Sequence, residues 1–330
     1  DAALASYDRA IQINPSYVDA NYNKALLLLL LGQYEKGWRL YEWRWKTEQF
    51  KYDFRAFKQP LWLGDQALTG KTILLHAEQG FGDLIQVVRY LPMVTALGAK
   101  VVLEAPATLM TLLRTLKAEF TLLAKGEEFP HFDLHCPIMS LPLAFRSTVD
   151  TSPAAIPYLS AEPDKQLHVQ KRLGESVRPR VGLAWSGNPK HLNDRNRSVP
   201  LNALKPLLDL DFEYHSLHQQ LTQEDELLLD ELDRIQFHGA ELMDYSDTAA
   251  LIAELDLVIT VDTSVAHLAG ALGKTVWILL PYAPDFRWLM DRDDSPWYAT
   301  ARLFRQGQLG DWDGVIAALR VELQTLSVGA

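Results

Sequence analysis

Two short apolar runs, residues 257–261 and 275–280, constrain the fold of this 330-residue chain most strongly. Both are rich in β-branched residues, which is typical of strands buried on both faces of a sheet. Between them, residues 264–272 carry small and apolar side chains at helical spacing, and Gly273 follows as a helix stop. Because parallel strands need a crossover that is usually a helix, the segment predicts a strand–helix–strand unit of a parallel sheet.

Four polar residues stand where the first of these strands meets the helix: Asp262, Thr263, Ser264 and His267. In parallel sheets, ligands collect at the carboxyl ends of strands, where the next helix presents unpaired N–H groups and partial positive charge. A phosphate or diphosphate would fit there. The alternative stays open that the first two residues only cap the helix and that His267 is a satisfied core histidine.

Residues 1–51 carry a helical repeat. Four of them have the spacing of the second helix of a tetratricopeptide repeat: Ala3, Tyr7, Ala10 and Pro15. One divergent full repeat follows, in which Arg44 replaces the expected small residue. Because arrays need about three repeats to bury a continuous core, we favour a structural cap on the next domain over a surface that grips a polypeptide.

Composition shifts and element order divide the remainder of the chain. Residues 52–70 are expected to be a linker, 71–160 and 161–310 two domains of alternating strands and helices, and 311–330 a C-terminal helix. Residues 284–306 are aromatic and charged without periodicity, and are expected to form a long ordered loop. This order predicts an α/β protein whose two domains face a cleft.

A glycine-containing loop follows the first predicted strand of the 71–160 domain. Its residues Gln79, Gly80 and Gly82 resemble an incomplete phosphate-binding turn, because the third glycine of the dinucleotide fingerprint is missing. Asp83 then stands directly before a helix expected from Leu84 to about Leu97. A carboxylate there is a candidate for proton transfer, and a plain helix cap is the alternative.

The loop at 186–198 concentrates donors after the first strand predicted in the second domain. Ser186 and Asn188 offer polar side chains, and Lys190, Arg195 and Arg197 offer positive charges that can neutralise a diphosphate. The alternative is an ordinary solvated loop.

The charge and cysteine content exclude several classes of protein. A formal net charge of −10 argues against a nucleic-acid-binding surface, which usually needs a basic patch. The single cysteine, Cys136, excludes an internal disulfide and a cysteine-cluster metal site, and fits a reducing compartment. No apolar stretch reaches the length of a transmembrane helix. We therefore expect a cytoplasmic protein, with an upstream targeting segment left open.

Three motifs, taken together, resemble the bacterial heptosyltransferase-like glycosyltransferases of the GT-B fold: Gly82-Asp83, the 186–198 loop, and the segment 262–269 with its Asp-Thr-Ser-x-x-His-Leu-Ala pattern. The resemblance covers most of residues 71–326. The repeats ahead of such a region give an arrangement similar to that of the O-linked N-acetylglucosamine transferases. The resemblance implies two Rossmann-like domains, with the acceptor bound mainly by the first and a nucleotide sugar by the second.

The resemblance also implies roles for individual residues. Asp83 would be the general base, with Gln79, Gly80 and Gly82 in the loop on the acceptor side. Arg197 would neutralise the leaving diphosphate. The remaining donor-side residues would hold the phosphates or the sugar: Ser186, Asn188, Asp262, Thr263, Ser264 and His267. Heptosyltransferases usually have glycine where Ser264 stands, which leaves the donor sugar open.

The function expected from these observations is an inverting glycosyltransferase of hexosyl- or heptosyltransferase type that uses a nucleotide diphosphate sugar. No metal cofactor is expected, because none of the Asp-x-Asp sequences follows a convincing buried strand. The acceptor, a protein or a glycan hydroxyl, stays open. Two alternatives are a non-catalytic, repeat-containing adaptor for a partner polypeptide and a nucleotide-sugar epimerase of the same fold.

Overall fold

A computed structural model describes residues 2–328 of the chain. Its strands are β1 (Thr72–His76), β2 (Lys100–Ala105), β3 (Thr121–Ala124), β4 (Leu134–Pro137), β5 (Arg180–Ala184), β6 (Glu213–Ser216), β7 (Ile235–Phe237), β8 (Leu257–Val261), β9 (Val276–Leu280) and β10 (Ala301–Arg305). Its α-helices are α1 (Ala2–Ile13), α2 (Val18–Leu30), α3 (Tyr34–Tyr41), α4 (Phe81–Val87), α5 (Leu91–Ala96), α6 (Met110–Leu113), α7 (Leu141–Ala144), α8 (Pro163–Leu173), α9 (Asp194–Arg197), α10 (Lys205–Leu208), α11 (Gln223–Leu232), α12 (Tyr245–Ala253), α13 (Ser264–Ala271) and α14 (Trp312–Val328). None of these helices is long and apolar enough to cross a membrane.

The chain divides into two compact units. The first contains the residues up to Met110, together with Lys117–Ala154 and Asp285–Asp291. The second contains Thr111–Leu116, Ala155–Pro284 and the residues from Arg292 onward. The short segment Asp285–Asp291 therefore belongs to the first unit, although it lies far along the chain.

The first unit contains a parallel sheet with the strand order β3-β2-β1-β4. In this sheet Leu74 of β1 lies opposite Val102 of β2 and His135 of β4. The chain first builds outward from β1 to β3 and then crosses to the other side of β1 to form β4. The carboxyl ends of β1 and β4 therefore flank the point where the direction of winding reverses, which is where open α/β sheets bind ligands.

The second unit contains a parallel sheet with the order β10-β9-β8-β5-β6-β7. Its winding reverses between β5 and β8. Every residue of β8 and β9 is buried, as expected of strands covered on both faces. The α/β fold with parallel sheets is therefore confirmed, and so is the strand–helix–strand unit formed by β8, α13 and β9.

The N-terminal helices have the close packing expected of a repeat. A Cβ atom added at Gly37 of α3 would lie 2.7 Å from the side chain of Leu29 in α2, so glycine allows the two helices to approach each other. Trp38 and Tyr41 on the inner side of α3 are buried. The segment that follows, residues 52–70, contains no helix, but Trp62 within it is buried.

Several expected elements differ from those in the structure. The expectation of a loop throughout 284–306 is wrong, because Ala301–Arg305 forms the edge strand β10, paired with β9. The helix expected from Leu84 begins three residues earlier, at Phe81, and a 3₁₀ turn at Val88–Tyr90 separates it from α5. Pro92 in the first turn of α5 accounts for the interruption, because proline cannot donate the backbone hydrogen bond that a continuous helix would need.

Candidate functional site

In the second unit, Arg197 links the loops that follow β5 and β8. Its Nη1 donates to the carbonyl oxygen of Asp262 at 2.8 Å, and its Nε lies 3.2 Å from the Asp194 carboxylate. The guanidinium therefore lies at the point where the winding of the sheet reverses. Gly187 makes room for it, because a Cβ atom there would lie 2.5 Å from Arg197 Nη2 and 2.6 Å from Asp194 Oδ1.

Thr263 and Ser264 form the amino end of α13. Thr263 is the N-cap, and its hydroxyl accepts the Val265 N–H at 3.3 Å. The Ser264 hydroxyl lies 2.7 Å from the phenol oxygen of Tyr245, and burial raises the pKa of that phenol. Because the start of an α-helix carries partial positive charge, this end of α13 and the Arg197 guanidinium favour an anion at the same edge of the sheet.

His267 lies one turn into α13 and is buried. Its Nδ1 is 2.9 Å from the hydroxyl of Tyr298, which is also buried. A Cβ atom at Gly270 would lie 2.3 Å from the Tyr298 ring, so this glycine lets the ring pack against α13 and reach the histidine. The contact with Tyr298 fixes the orientation of the imidazole.

The two remaining donor-side candidates lie in the loop after β5. Ser186 is half-buried directly after Trp185, whose carbonyl accepts the Val199 N–H at 2.7 Å and closes the loop. Asn188 is exposed, and its side-chain oxygen accepts the Lys190 N–H at 2.9 Å. The structure thus brings Arg197 and Asp262 into direct contact, whereas Asn188 serves an exposed turn.

In the first unit, Asp83 lies in the first turn of α4 and is held through both carboxylate oxygens. Its Oδ2 accepts the backbone N–H of Gly80 at 2.8 Å, and its Oδ1 pairs with Arg287. The N-cap of the helix is Gly80, three residues before Asp83. Gly82 lies between them, within the same helical turn.

Arg287, which sequence reasoning passed over as a site residue, is buried beside Asp83. Its Nη1 lies 2.8 Å from Asp285, and its Nε donates to the side-chain oxygen of Gln86 at 2.8 Å. Burial alone would lower the pKa of Arg287, but the Asp285 and Asp83 carboxylates raise it well above its usual value. The available signal was the sequence Phe286-Arg287-Trp288, in which a basic residue stands between two aromatic residues.

Arg44, at the end of the repeat, is fully buried where β1 and β4 end. Its Nη2 lies 2.8 Å from Glu78 Oε1 and 2.7 Å from the Ser140 hydroxyl, and its Nε lies 3.1 Å from Glu78 Oε2. Glu42 pairs with it on a third side at 2.6 Å. The departure from the repeat pattern at Arg44 therefore supplies a buried ion pair at the carboxyl ends of β1 and β4.

Gln79 connects this ion pair to the loop that carries Asp83. Its side-chain oxygen accepts the Tyr41 hydroxyl at 3.1 Å. Its backbone has a φ of +63°, a left-handed conformation that costs a non-glycine residue about 1–3 kcal/mol. The rings of Trp38 and Tyr41 lie 5.7 and 5.8 Å from that of Phe286, next to Arg287. The repeat helices therefore support the surroundings of Asp83.

The N-terminal region matches a known family. Residues 6–39 match the family model described as a tetratricopeptide repeat. This agrees with the repeat inferred from the spacing of Ala3, Tyr7, Ala10 and Pro15. Within residues 2–328, no group of three or more His, Cys, Asp or Glu side chains is arranged to hold a metal ion.

Two curated proteins are similar to the chain in sequence. Protein FlbA of Caulobacter vibrioides is 27% identical over 355 residues, which cover 98% of this chain and 58% of FlbA. An uncharacterized protein of Methanocaldococcus jannaschii is 49% identical over 37 residues, which cover 11% of this chain and 43% of that protein. The chain therefore spans less than two thirds of the length of either relative.

Several solved structures have a similar fold. A glycosyl transferase family 9 protein from Veillonella parvula gives a TM-score of 0.58 at 11% identity, covering 80% of this chain and 99% of that one. E. coli ADP-heptose LPS heptosyltransferase II gives a TM-score of 0.52 at 14% identity, covering 78% of this chain and 100% of that one. E. coli heptosyltransferase WaaC, solved with ADP, gives a TM-score of 0.51 at 12% identity, covering 77% of this chain and 99% of that one. The chain thus shares the fold of these glycosyltransferases.

Proposed function

We propose that the chain is an inverting glycosyltransferase that moves a sugar from a nucleotide diphosphate sugar to a hydroxyl of a protein or glycan acceptor. The observation that carries this proposal is the placement of Arg197 and the amino end of α13 at the reversal point of the second sheet. Fixed positive charge at that edge suits a diphosphate that gains charge as it leaves.

In the proposed reaction, Arg197 and the first N–H groups of α13 stabilise the departing diphosphate. Thr263, Ser264 and His267 hold its phosphates, and Ser186, Asn188 and Asp262 order the loops around the donor. We propose that this fixed charge takes the place of a metal ion. Transfer that a chelator abolishes and manganese restores would contradict that part of the proposal.

The first unit supplies the base. The carboxylate of Asp83 would accept the proton of the acceptor hydroxyl as the bond to the sugar forms. Arg287 and the Gly80 N–H each engage one of its oxygens, so the orientation of the carboxylate is fixed before the acceptor arrives. Gln79 and Gly82 shape the surrounding loop.

Of the glycosyltransferases that share this fold, one is an ADP-heptose LPS heptosyltransferase and another, the heptosyltransferase WaaC, was solved with ADP. We therefore infer that the nucleotide of the donor is ADP, and that its sugar is a hexose or heptose.

A nucleotide screen tests the proposed donor site. The melting temperature of the chain is measured with ADP, UDP, GDP and CMP, each with and without magnesium. ADP at 100 times its dissociation constant is expected to stabilise the fold by about 2.7 kcal/mol. Arg197→Met is expected to weaken ADP binding by about tenfold to a hundredfold, because it removes a charge-assisted contact.

Arg178→Met is the matched control, because Arg178 is an exposed arginine of the same unit that precedes β5, at the end of the strand opposite to the Arg197 loop. It is expected to bind ADP as the native chain does. An equal loss in both variants would reduce the role of Arg197 to general electrostatic attraction. No shift with any of the four nucleotides would refute the proposed donor and favour the non-catalytic adaptor.

Replacing Arg287 tests whether it positions the base. Arg287→Met leaves Asp83 with only its Gly80 contact, and kcat is expected to fall about a hundredfold, as misplacement by about 1 Å can cause. ADP binding should stay within about twofold, since the side-chain partners of Arg287 are Asp83, Gln86 and Asp285, none of which is proposed to bind the donor. Arg287→Lys, which keeps the charge, is expected to recover part of kcat.

Arg302→Met is the control for Arg287, because it breaks a partly exposed ion pair with Glu322 in the second unit. Steady-state measurements of kcat and KM, together with the melting temperature, separate positioning from folding. If Arg287→Met lowered the melting temperature and left kcat per folded molecule unchanged, Arg287 would be a structural residue only.

A further inference from the structure

The first unit contains a cavity of about 210 Å³ that no role described above uses. Aromatic rings form much of its wall, namely those of Trp45, Phe54 and Phe57, and four side chains provide polar groups: Arg55, Gln59, His76 and His135. For comparison, a cavity of about 150 Å³ can hold a benzene molecule. The space therefore suits a single six-membered ring with small substituents.

The cavity lies beside the reversal point of the first sheet, where open α/β sheets commonly bind ligands. His76 is the last residue of β1, and His135 lies in β4, the neighbouring strand across the reversal point. Trp45 of the cavity wall has the Arg44 guanidinium 4.2 Å from its ring centroid. The cavity thus adjoins the buried ion pair of Arg44 and Glu78. Glu78 follows β1, in the same loop that leads to Asp83.

The two histidines form a fixed polar pair. His76 Nε2 lies 3.2 Å from His135 Nδ1, so one of these nitrogens donates and the other accepts. Burial lowers the pKa of His76 to about 3 and also lowers that of His135, so both rings are neutral at pH 7. Their other two ring nitrogens have no protein partner among residues 2–328.

Tautomer chemistry determines what these two nitrogens offer. A neutral imidazole has one N–H and one bare nitrogen. If His76 donates to His135, its own second nitrogen is an acceptor and that of His135 is a donor. The reverse direction exchanges the two roles. In both cases the pair presents one donor and one acceptor, which a hydroxyl group or a pair of adjacent hydroxyls can satisfy together.

The remaining walls favour an uncharged ligand with an apolar face. Arg55 is paired with the buried Glu104 at 2.7 Å, so its charge is already neutralised. Phe57 packs against both histidines, with ring centroids 5.5 and 4.9 Å away. Aromatic faces are electron-rich and attract the C–H groups of a sugar ring, while few well-placed polar groups fix its orientation.

We propose that this cavity is a binding site for one neutral monosaccharide ring, whose hydroxyls pair with His76 and His135 and whose C–H face packs on Phe57 and Trp45. Identifying that ring as part of the acceptor rests on the proposed transferase function, whereas binding of the ring itself does not. A phenylalanine side chain would leave both imidazole nitrogens unpaired, and a tyrosine side chain has a single hydroxyl where a sugar ring offers adjacent hydroxyls to both nitrogens, so the sugar ring is favoured.

Saturation-transfer NMR on the full chain, without any nucleotide, tests the site. The probes are the methyl glycosides of glucose, galactose, mannose and N-acetylglucosamine, with p-cresol as the aromatic competitor. At least one glycoside is expected to receive saturation through its ring protons. His135→Phe and Phe54→Ala are each expected to weaken its binding by about tenfold or more, as loss of a hydrogen bond or packing face does.

A control variant outside the cavity and a second variant within it separate a loss of ligand binding from a loss of folding. His238→Phe is the matched control, because His238 is also buried and lies 3.0 Å from a second histidine, His215, in the other unit. Phe54 is 53% exposed, so its removal tests the cavity even if His135→Phe does not fold. His238→Phe should retain glycoside binding.

Three results would overturn the proposal: binding of p-cresol in place of the glycosides, binding of neither, or glycoside binding that the His135 and Phe54 variants leave unchanged. The nucleotide screen is run on the same samples. If ADP binds and no glycoside does, the sugar cavity fails while the proposed donor site stands. If a glycoside binds and no nucleotide does, the transferase function fails while the cavity stands.

Discussion

Replacing Asp83 with asparagine is expected to lower the rate of sugar transfer by about 10²–10⁴-fold, the usual contribution of a general base. Asparagine has nearly the shape of aspartate and can still accept the Gly80 N–H, but it cannot take the proton of the acceptor hydroxyl. The change removes a charge beside Arg287, which keeps its second partner, Asp285. The fold should therefore persist.

The measurement is single-turnover transfer at saturating donor, together with the ADP-induced rise in melting temperature. Asp133→Asn is the matched control, because Asp133 is an exposed carboxylate in the same unit that accepts the Thr72 N–H at 2.8 Å, at the opposite end of β1. Transfer is expected to fall only in the Asp83 variant, with the ADP shift intact in both. Comparable transfer in the two variants would remove the base assignment.

The elements that sequence analysis predicted well are those whose cause is local. Residues 257–261 are continuously apolar and β-branched, and both faces of β8 are buried. Thr263 caps the helix, and Gly273, with a φ of +70°, follows its end. The causes of this unit are local in the sequence, so its order of strand, helix and strand could be predicted.

The strands that were missed depend on tertiary contacts. β4 reads Leu-His-Cys-Pro, and neither its length nor its composition is typical of a strand, yet its pairing with β1 buries every residue of it. β10 reads Ala-Arg-Leu-Phe-Arg, without strict alternation, and lies at the sheet edge, where its two arginines are only partly buried. A pattern that looks aperiodic in sequence becomes a strand because β9 supplies its hydrogen bonds.

The same reason accounts for the two arginines. Arg287 meets Asp83 across 204 residues of sequence, and Arg44 meets Glu78 across 34. Nothing in the neighbourhood of either residue reveals its partner. In the sequence, Arg44 only breaks the repeat pattern. In the structure, it forms an ion pair with the buried carboxylate of Glu78. The break in the repeat pattern thus coincides with a residue that packs against the loops after β1 and β4.

Replacing Arg44 with methionine is expected to lower the free energy of unfolding by about 3–5 kcal/mol, the usual cost of removing one partner of a buried ion pair. Both Arg44 and Glu78 are almost inaccessible to solvent, with exposed side-chain fractions of 0% and 2%. Methionine fills a similar volume but removes the positive charge that contacts the Glu78 carboxylate, which keeps the Met139 N–H at 3.2 Å. Urea unfolding of the whole chain measures the loss.

Arg39→Met is the control, because Arg39 is a 70% exposed arginine of α3 whose contact with Glu35 spans 3.6 Å. Exposed pairs of this kind contribute about 0–1 kcal/mol. Adding Glu78→Gln to Arg44→Met is expected to recover part of the loss, since it removes the stranded charge. If the double variant were no more stable than Arg44→Met, the cost would lie in packing and not in the unpaired carboxylate.

The pH dependence of Arg44→Met separates charge from packing further. Burial already raises the pKa of Glu78 above its ordinary value of 4.5, although Arg44 opposes the shift, and removing Arg44 raises it more. When the pKa of a carboxyl group is higher in the folded than in the unfolded protein, the free energy of unfolding falls as the pH rises through the folded-state pKa. The deficit of the variant should therefore be larger at pH 8 than at pH 5. If the stability difference between Arg44→Met and the native chain did not change with pH, the charge on Glu78 would not be its cause. The contacts made by the arginine side chain would then be what holds the repeat helices to the first sheet.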